Sequence, residues 1–253
     1  MTVQDVHRIE VAKWDALASA ERPDASLVLS DRDFGAHARR VSTMVGMAGF
    51  LGDLRDREVL ELGCGLGQLT TLLARSGARV TALDISPASV AVARRRAALH
   101  GVADRVRFVV APAERLPFPD DRFDAAVGKA VLHHLDVRTA GPELHRVLRP
   151  GGRAAFSEPL GTNPLVAFAR DHLPYPGKNP RGADRPLSFG DVAAWGAPYA
   201  EFHHREIQLL SMLERALGFG RPLPRLRRAD AWLLRRFPVL RGACRYVVLT
   251  MVK

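Results

Sequence analysis

Hydrophobic and polar positions repeat along this chain with two periods, one typical of strands and one typical of helices. Short apolar runs of strand length are each followed by a longer stretch in which apolar residues recur at helical spacing. The predicted strands are 58–62, 78–83, 105–110, 123–128 and 152–158, and the predicted helices are 67–76, 87–100 and 137–148. Strands that alternate with helices of about 10 to 15 residues predict an α/β fold, in which helices cover both faces of a parallel sheet.

The segments on either side of this alternating region have a different pattern. Apolar residues at helical spacing predict two helices ahead of it, over residues 4–20 and 34–50. Behind it, residues 160–190 are rich in proline, glycine and charge, which predicts an irregular loop or lid. The remaining predicted elements are strands at 203–211 and 245–252 and an amphipathic insertion at 212–243 between them.

The first predicted strand runs into a turn with glycine at alternate positions, Gly63, Gly65 and Gly67. Glycine suits a sharp turn or a place where a ligand lies against the backbone. The dinucleotide-binding fingerprint needs another glycine where Gln68 stands, and the phosphate-binding loop needs a lysine that is missing. Glu61, at the end of the strand, is expected to accept a hydrogen bond from an ammonium group. The turn therefore predicts a nucleoside ligand with a cationic tail.

The turn, ELGCGLG at residues 61–67, resembles the first motif of the class I S-adenosylmethionine-dependent methyltransferases. Four more segments resemble later motifs of that family, in the family's order: VTALDIS at 80–86, AERLPF at 113–118, FDAAVGKAVLHHL at 123–135 and LRPGG at 148–152. The resemblance implies a Rossmann-like seven-stranded sheet in a single methyltransferase domain, with a terminal antiparallel strand pair. Its implied parts are an N-terminal helical cap at 1–52, a cofactor-binding core at 53–158, and a substrate lid, strand pair and insertion at 159–253.

The resemblance also implies S-adenosylmethionine as cofactor, bound at the carboxyl ends of the strands. The residues expected to hold it are Glu61, Gly63, Cys64, Gly65, Gly67, Asp84, Ile85, Ala113, Glu114 and Lys129. Asp84 would accept hydrogen bonds from both ribose hydroxyls, and Ile85 would pack on the adenine. Pro112 stands where the family has an acid for the adenine amino group, so that group needs another acceptor or water. Lys129 would point toward the substrate, where it could hold an anionic group.

Two adjacent histidines, His133 and His134, follow the fourth predicted strand, and Glu158 ends the fifth. We predict that one histidine works with Glu158 as a general base, because histidine is the commonest residue in that role. Adjacent side chains are expected to point different ways, so that only one faces the pocket. The predicted substrate contacts are Trp14, Phe34, His172 and Tyr175. No metal site is predicted, because the histidines lack the spacing of metal ligands.

The composition adds a strong positive charge to this description. The 37 basic residues include only four lysines, and the net charge is +10. An excess of arginine indicates an anionic partner, such as nucleic acid, a phosphorylated substrate or an acidic carrier, or it reflects a coding bias toward arginine. The two cysteines form no disulfide framework. Neither a signal peptide nor a membrane span is apparent, which predicts a cytoplasmic protein.

Together these features predict a methyltransferase that acts on an oxygen or nitrogen of a small molecule, with help from a histidine and a glutamate. The expected substrate is a specialised metabolite, as in antibiotic biosynthesis, or an activated sugar, and it is anionic or nucleotide-linked if the arginines bind it. A homodimer is compatible with the sequence. Two alternatives stay open: an RNA methyltransferase, which the charge favours although no RNA-binding module is visible, and a cofactor-binding cyclase or partner subunit that transfers no methyl group.

Overall fold

The computed structural model describes residues 3–19, 27–172, 185–216 and 223–253. A seven-stranded sheet with the strand order β3-β2-β1-β4-β5-β7-β6 forms its centre. The strands are β1 Glu58–Leu62, β2 Arg79–Asp84, β3 Val106–Val110, β4 Phe123–Lys129, β5 Leu148–Pro159, β6 Glu201–Ile207 and β7 Tyr246–Val252. Strands β1 to β5 are parallel, and β7 lies antiparallel between β5 and β6. The predicted fold class is thus confirmed.

Helices cover both faces of the sheet, as the alternating pattern predicts. They are α1 Val3–Ser19, α2 Phe34–Arg40, α3 Met47–Leu51, α4 Gln68–Arg75, α5 Pro87–Leu99, α6 Val137–Val147, α7 Pro164–His172, α8 Phe189–Gly196, α9 Leu213–Ala216 and α10 Pro224–Arg236. In the part of the chain that the structure describes, none of these helices has the length and apolarity to span a bilayer.

Two predictions about the flanking segments are wrong. The single helix expected over 34–50 is divided into α2, a short 3-10 turn and α3, because Val41 is extended and Gly46 has a left-handed backbone with φ 91°. The segment expected to be irregular over 160–190 contains α7 at Pro164–His172, and residues 173–184 of it lie outside the described residues. Asn163 begins this helix by accepting hydrogen bonds from the backbone N–H groups of Leu165 and Val166. An Asn-Pro pair is as suitable for starting a helix as for a turn.

The core lies in two layers, one on each face of the sheet. Leu60, Phe123 and Phe156 pack in one layer, and Val59 and Val127 pack in the other. Neighbouring residues of β1 thus contribute to opposite layers, because successive side chains of a strand point to opposite faces. Strand order reverses between β1 and β4, and α/β sheets of this kind bind ligands in the crevice at that point.

Candidate active site

A cavity of about 500 Å³ lies at this reversal point. Its walls are the glycine turn after β1, the end of β2, the loop after β3, the turn after β4, the helix α1 and Tyr246 at the start of β7. The predicted site residues that line it are Trp14, Gly63, Gly65, Asp84, Ile85, Ala113, Glu114, Lys129, His133 and His134. The sheet therefore brings most of the predicted site together.

The glycines of the turn meet different requirements. All three have a left-handed backbone, with φ 65° at Gly63, 48° at Gly65 and 78° at Gly67. A Cβ at Gly63 would come within 2.6 Å of Val131, and a Cβ at Gly67 within 2.6 Å of Ala93, so these two permit close packing. A Cβ at Gly65 would meet nothing within 4 Å. Gly65 therefore leaves open space at the cavity wall, where a ligand can approach the backbone.

Asp84 is fixed at the end of β2 by two backbone donors. Its Oδ2 accepts a hydrogen bond from the N–H of Gly65 at 2.7 Å, and its Oδ1 accepts one from the N–H of Ser86 at 2.9 Å. Burial raises the pKa of this carboxyl, which these hydrogen bonds partly counteract. A carboxylate oxygen can accept more than one hydrogen bond. Asp84 thus keeps acceptor capacity toward the cavity, as binding of two neighbouring hydroxyls requires.

His133 lines the cavity and contacts the buried Glu158, which does not itself line the cavity. His133 Nδ1 lies 2.7 Å from Glu158 Oε2, and the Glu158 side chain is 0% exposed. The other oxygen, Oε1, accepts hydrogen bonds from the N–H groups of Val131 at 2.9 Å and Leu132 at 3.1 Å. The carboxylate therefore holds both the turn after β4 and the imidazole ring.

Both histidines line the cavity, so the expectation that only one faces it is wrong. Residues Leu132–His134 form a 3-10 turn, in which neighbouring side chains do not alternate between two faces as in a strand. The ring centroids of His133 and His134 are 3.9 Å apart, and the Nδ1 of His134 lies 3.3 Å from Oε1 of Glu10 on α1.

Three residues expected at the cofactor do not line the cavity: Glu61, Cys64 and Gly67. Glu61 is 1% exposed, and its Oε2 accepts a hydrogen bond from the Thr70 hydroxyl at 2.5 Å, so it supports the turn from behind. Cys64 is buried, which raises the pKa of its thiol. Because a strand alternates its faces, the residue before a binding turn can belong to the core.

The predicted substrate contacts are mostly elsewhere. Trp14 lines the cavity, and its Nε1 donates a hydrogen bond to Glu10 at 2.8 Å. Phe34 is 2% exposed within the core, so its prediction as a substrate contact is wrong. His172 is exposed at the end of α7, stacks on Phe168 at 4.2 Å and does not line the cavity. Tyr175 lies outside the described residues.

A family model described as a methyltransferase domain matches residues 60–156. That segment contains the glycine turn, Asp84 and both histidines of the cavity. Residues 60–156 are therefore similar to a methyltransferase domain, in agreement with the motifs of the sequence. S-adenosylmethionine is therefore the cofactor to which the cavity must be compared.

Relatives of this methyltransferase domain match about half of the chain. The chain is 39% identical over 120 residues to the ubiquinone/menaquinone biosynthesis C-methyltransferase UbiE of Hahella chejuensis, covering 45% of this chain and 47% of the relative. It is 41% identical over 103 residues to methyltransferase GfsG of Streptomyces halstedii, covering 40% and 37%. The chain thus spans about half or less of the length of these relatives.

Solved structures with the same fold extend over more of the chain. The 4+2 cyclase SpnF aligns with a TM-score of 0.61 at 20% identity and covers 100% of this chain and 97% of its own. Geranyl diphosphate C-methyltransferase from Streptomyces coelicolor aligns with a TM-score of 0.59 at 18% identity, covering 81% and 76%. At these identities the alignments show only that the chain shares the fold of these proteins, including the parts outside residues 60–156.

The cavity of the methyltransferase domain fits S-adenosylmethionine in two respects. Gly65 leaves open space at the wall, and Asp84 keeps acceptor capacity toward it. Four other polar groups of the cavity wall form two close pairs: His7 Nε2 lies 3.2 Å from Glu114 Oε2, and His134 Nδ1 lies 3.3 Å from Glu10 Oε1.

Helix α1 supplies cavity residues that the sequence did not identify: His7, Glu10 and Lys13. Asp15 attaches the same helix to the methyltransferase core, because its Oδ1 accepts hydrogen bonds from the Ser86 hydroxyl at 2.5 Å and from the Ala88 N–H at 3.3 Å. The sequence signal that could have identified them is the polar face of the predicted helix, where charged residues recur at helical spacing. Among the described residues, no cluster of side chains could hold a metal ion.

Substituting Glu61 by glutamine is expected to remove a pH dependence of stability. Burial raises the pKa of Glu61 to about 8, against 4.5 for an unperturbed glutamate. Between these values the folded protein keeps a proton that the unfolded chain releases. The free energy of unfolding of the wild type should therefore fall as pH rises through this window, by up to about 1.4 kcal/mol per pH unit. Urea unfolding at several pH values across this window measures how the free energy of unfolding changes with pH in the wild type and in Glu61→Gln. Equal slopes in the two proteins would contradict the raised pKa of Glu61.

Proposed function

We propose that this protein is an S-adenosylmethionine-dependent methyltransferase whose substrate is a small molecule with an acceptor atom that must lose a proton. The observation that carries the proposal is His133, which lines the same cavity as the Asp84 carboxylate and the glycine turn and is held from behind by the buried Glu158 carboxylate. A cavity that held only the cofactor would need no imidazole in its wall that is oriented by a buried carboxylate behind it.

S-adenosylmethionine, when bound, supplies an electrophilic methyl group. The chain's own residues then have separate tasks. Asp84 and the backbone at Gly65 bind the nucleoside, and α1 and Tyr246 restrict the access of water to the cavity. Aligning the acceptor provides much of the rate acceleration of such a reaction.

Glu158 selects the tautomer in which His133 can act as a base. A carboxylate that accepts the proton of Nδ1 fixes the neutral ring in the tautomer whose Nε2 carries no proton. In that tautomer Nε2 can take a proton from the acceptor, and Glu158 stabilises the imidazolium that forms. Glu10 lies next to His134 in a similar way, at 3.3 Å, so His134 is the second candidate for this role.

The proposed acceptor atom is carbon, oxygen or nitrogen, whereas the sequence suggested only oxygen or nitrogen. The relatives' names include a C-methyltransferase, UbiE, and an O-methyltransferase, cnsE of Penicillium expansum. A hydroxyl and an acidic C–H both have to lose a proton on methylation, so a histidine base suits either. A specialised metabolite fits this proposal, and the geranyl diphosphate of the Streptomyces coelicolor structure is an example of a small-molecule substrate on the same fold.

The distribution of arginine favours a small molecule over RNA. Several arginines pair with carboxylates at the surface, such as Arg40 with Asp31 and Arg149 with Asp124, each at 2.5 Å. Arginines that are neutralised in this way contribute little to a continuous phosphate-binding surface. The charge is thus compatible with a protein whose reaction takes place in a cavity.

The test is transfer of labelled methyl groups from S-adenosylmethionine into two pools, a small-molecule extract and total RNA. We expect label in the small-molecule pool, and its loss with His133→Ala. Label confined to RNA would contradict the proposal in favour of an RNA methyltransferase. Tight binding of S-adenosylhomocysteine without transfer into either pool would instead favour a cyclase or partner subunit.

A further inference from the structure

We infer that the outward face of α10 binds the surface of a membrane that contains anionic phospholipids. This face is formed by Arg225, Arg228, Trp232, Arg235 and Arg236, and we call it the arginine–tryptophan face. The inference goes beyond the proposed function, because it concerns a surface outside the cavity and does not depend on the reaction that takes place there.

Helical spacing brings these five residues onto one side of α10. Residues three or four positions apart in a helix are neighbours on its surface, and Trp232 lies three or four positions from both Arg235 and Arg236. Trp232 is 55% exposed, and the arginines around it are exposed as well. On the inner side of the helix, Leu233 and Leu234 pack against the core. Trp232 therefore faces outward although the helix has other apolar residues for core packing.

The arginines of this face are not neutralised by nearby acids. Residues 224–243 contain six arginines and a single acidic residue, Asp230. Asp230 is buried, and its carboxylate accepts hydrogen bonds at 2.7 to 3.2 Å from three consecutive backbone N–H groups that follow β6. Arg225, Arg228 and Arg235 form no ion pair with any described residue. The face thus presents uncompensated positive charge to a partner, which is complementary to an anionic surface.

Exposed apolar side chains continue the face beyond the end of α10. Phe237 is 43% exposed and Val239 is 87% exposed. The ring of Phe237 meets that of Trp232 edge-on, with their centroids 6.2 Å apart. Tryptophan beside apolar residues suits the headgroup level of a bilayer, and arginine binds phosphate groups there. Four or more basic residues on one helix are typical of segments that bind anionic lipids.

The apolar residues favour a membrane over a nucleic acid. A nucleic-acid strand can stack a base on Trp232 and pair its phosphates with the arginines, but it offers little to an aliphatic side chain such as Val239. At a bilayer the same side chain leaves water for the boundary of the acyl chains, which is favourable. A lipid surface therefore accounts for the arginines and the apolar residues together.

The arginine–tryptophan face is fixed at the edge of the sheet that carries the cavity. The backbone groups that bind Asp230 follow the end of β6, which runs parallel to β5 because both are antiparallel to β7. The 3-10 segment Pro238–Ala243 connects α10 toward Tyr246, a residue of the cavity wall. Asn163, which follows β5, donates a hydrogen bond from Nδ2 to the carbonyl oxygen of Ala243 at 2.6 Å. A membrane bound by the face would thus lie at the same edge of the sheet as the cavity.

The experiment is co-sedimentation of the full chain with vesicles of phosphatidylcholine alone and of phosphatidylcholine mixed with phosphatidylglycerol. We expect the wild type to bind the anionic vesicles at least about 10-fold more strongly. Combined Arg228→Gln and Arg235→Gln should reduce this binding by about 10- to 30-fold, because each arginine near the lipid surface contributes about fivefold. Trp232→Ala should reduce it by about fivefold or more through the loss of buried apolar area.

Combined Arg79→Gln and Arg107→Gln is the matched control. These exposed arginines lie near the amino ends of β2 and β3, at the opposite edge of the sheet, and their replacement removes the same charge. We expect binding within about 2-fold of the wild type, because charges distant from the lipid surface are screened. Circular dichroism should show that both double variants remain folded.

Three outcomes would overturn the inference. The first is equal vesicle binding by the two double variants, and the second is no preference of the wild type for anionic vesicles. The third is binding of single-stranded RNA in place of vesicles, lost when Arg228 and Arg235 are replaced. None of the substituted residues lines the cavity, so labelled methyl transfer still tests the proposed function when vesicle binding fails.

Discussion

Replacing Asp84 by asparagine is expected to lower the affinity for S-adenosylhomocysteine by about 100-fold. The carboxylate ends β2 inside the cavity, is held by the N–H groups of Gly65 and Ser86, and has acceptor capacity left for the ligand. Hydrogen bonds from two hydroxyls to one charged acceptor are stronger than those to a neutral amide oxygen. Calorimetric titration of purified protein measures the change directly.

Asp56→Asn provides the control for this substitution. Asp56 is a surface carboxylate with φ 54°, a backbone conformation that asparagine also tolerates. We expect its affinity to equal that of the wild type. Circular dichroism should show that Asp84→Asn remains folded, and an unchanged affinity in the folded variant would mean that the ribose is held elsewhere.

Replacing His133 by alanine is expected to reduce kcat by about 100-fold or more, with the affinity for S-adenosylhomocysteine changed by less than about 3-fold. The reason is that His133 borders the cavity as the imidazole oriented by Glu158, whereas the nucleoside-binding groups lie on the walls after β1 and β2. Steady-state kinetics with the acceptor found in the labelling experiment, together with titration, separate the two quantities.

His134→Ala is the comparison that assigns the base. His134 has the adjacent ring, 3.9 Å away, but its nearby carboxylate is Glu10 on α1 rather than Glu158. We expect a smaller loss of kcat in this variant, because Glu10 lies 3.3 Å away, whereas Glu158 lies 2.7 Å from His133. Equal kcat in the wild type and both variants would show that transfer needs no histidine base.

The central part of the fold could be predicted closely from the sequence. The first strand occupies residues 58–62, as its apolar run indicates, and most of the other core elements begin and end within one or two residues of prediction. Local signals sufficed because each βα unit has its own apolar strand and helical repeat. The helix expected over 34–50 was wrong because helical spacing continued through the extended Val41 and the left-handed Gly46.

The candidate site was predicted less completely, and the errors share a cause. Glu61 and Phe34 have suitable chemistry, but one supports the glycine turn from behind and the other lies in the core. Glu10 was missed because it is distant in sequence from every motif. A motif identifies residue types and spacing, whereas the direction of a side chain depends on the elements packed around it.

The sequence by itself determined the parallel sheet, the glycine turn and the carboxylate that follows the second strand, because these depend on local periodicity and on residues within a single βα unit. The tertiary structure alone decided that α1 closes the cavity, that both histidines face it and that Glu10 of α1 lies beside His134. Those features arise where elements far apart in the chain come together, and burial and hydrogen-bond partners exist only after that packing has formed.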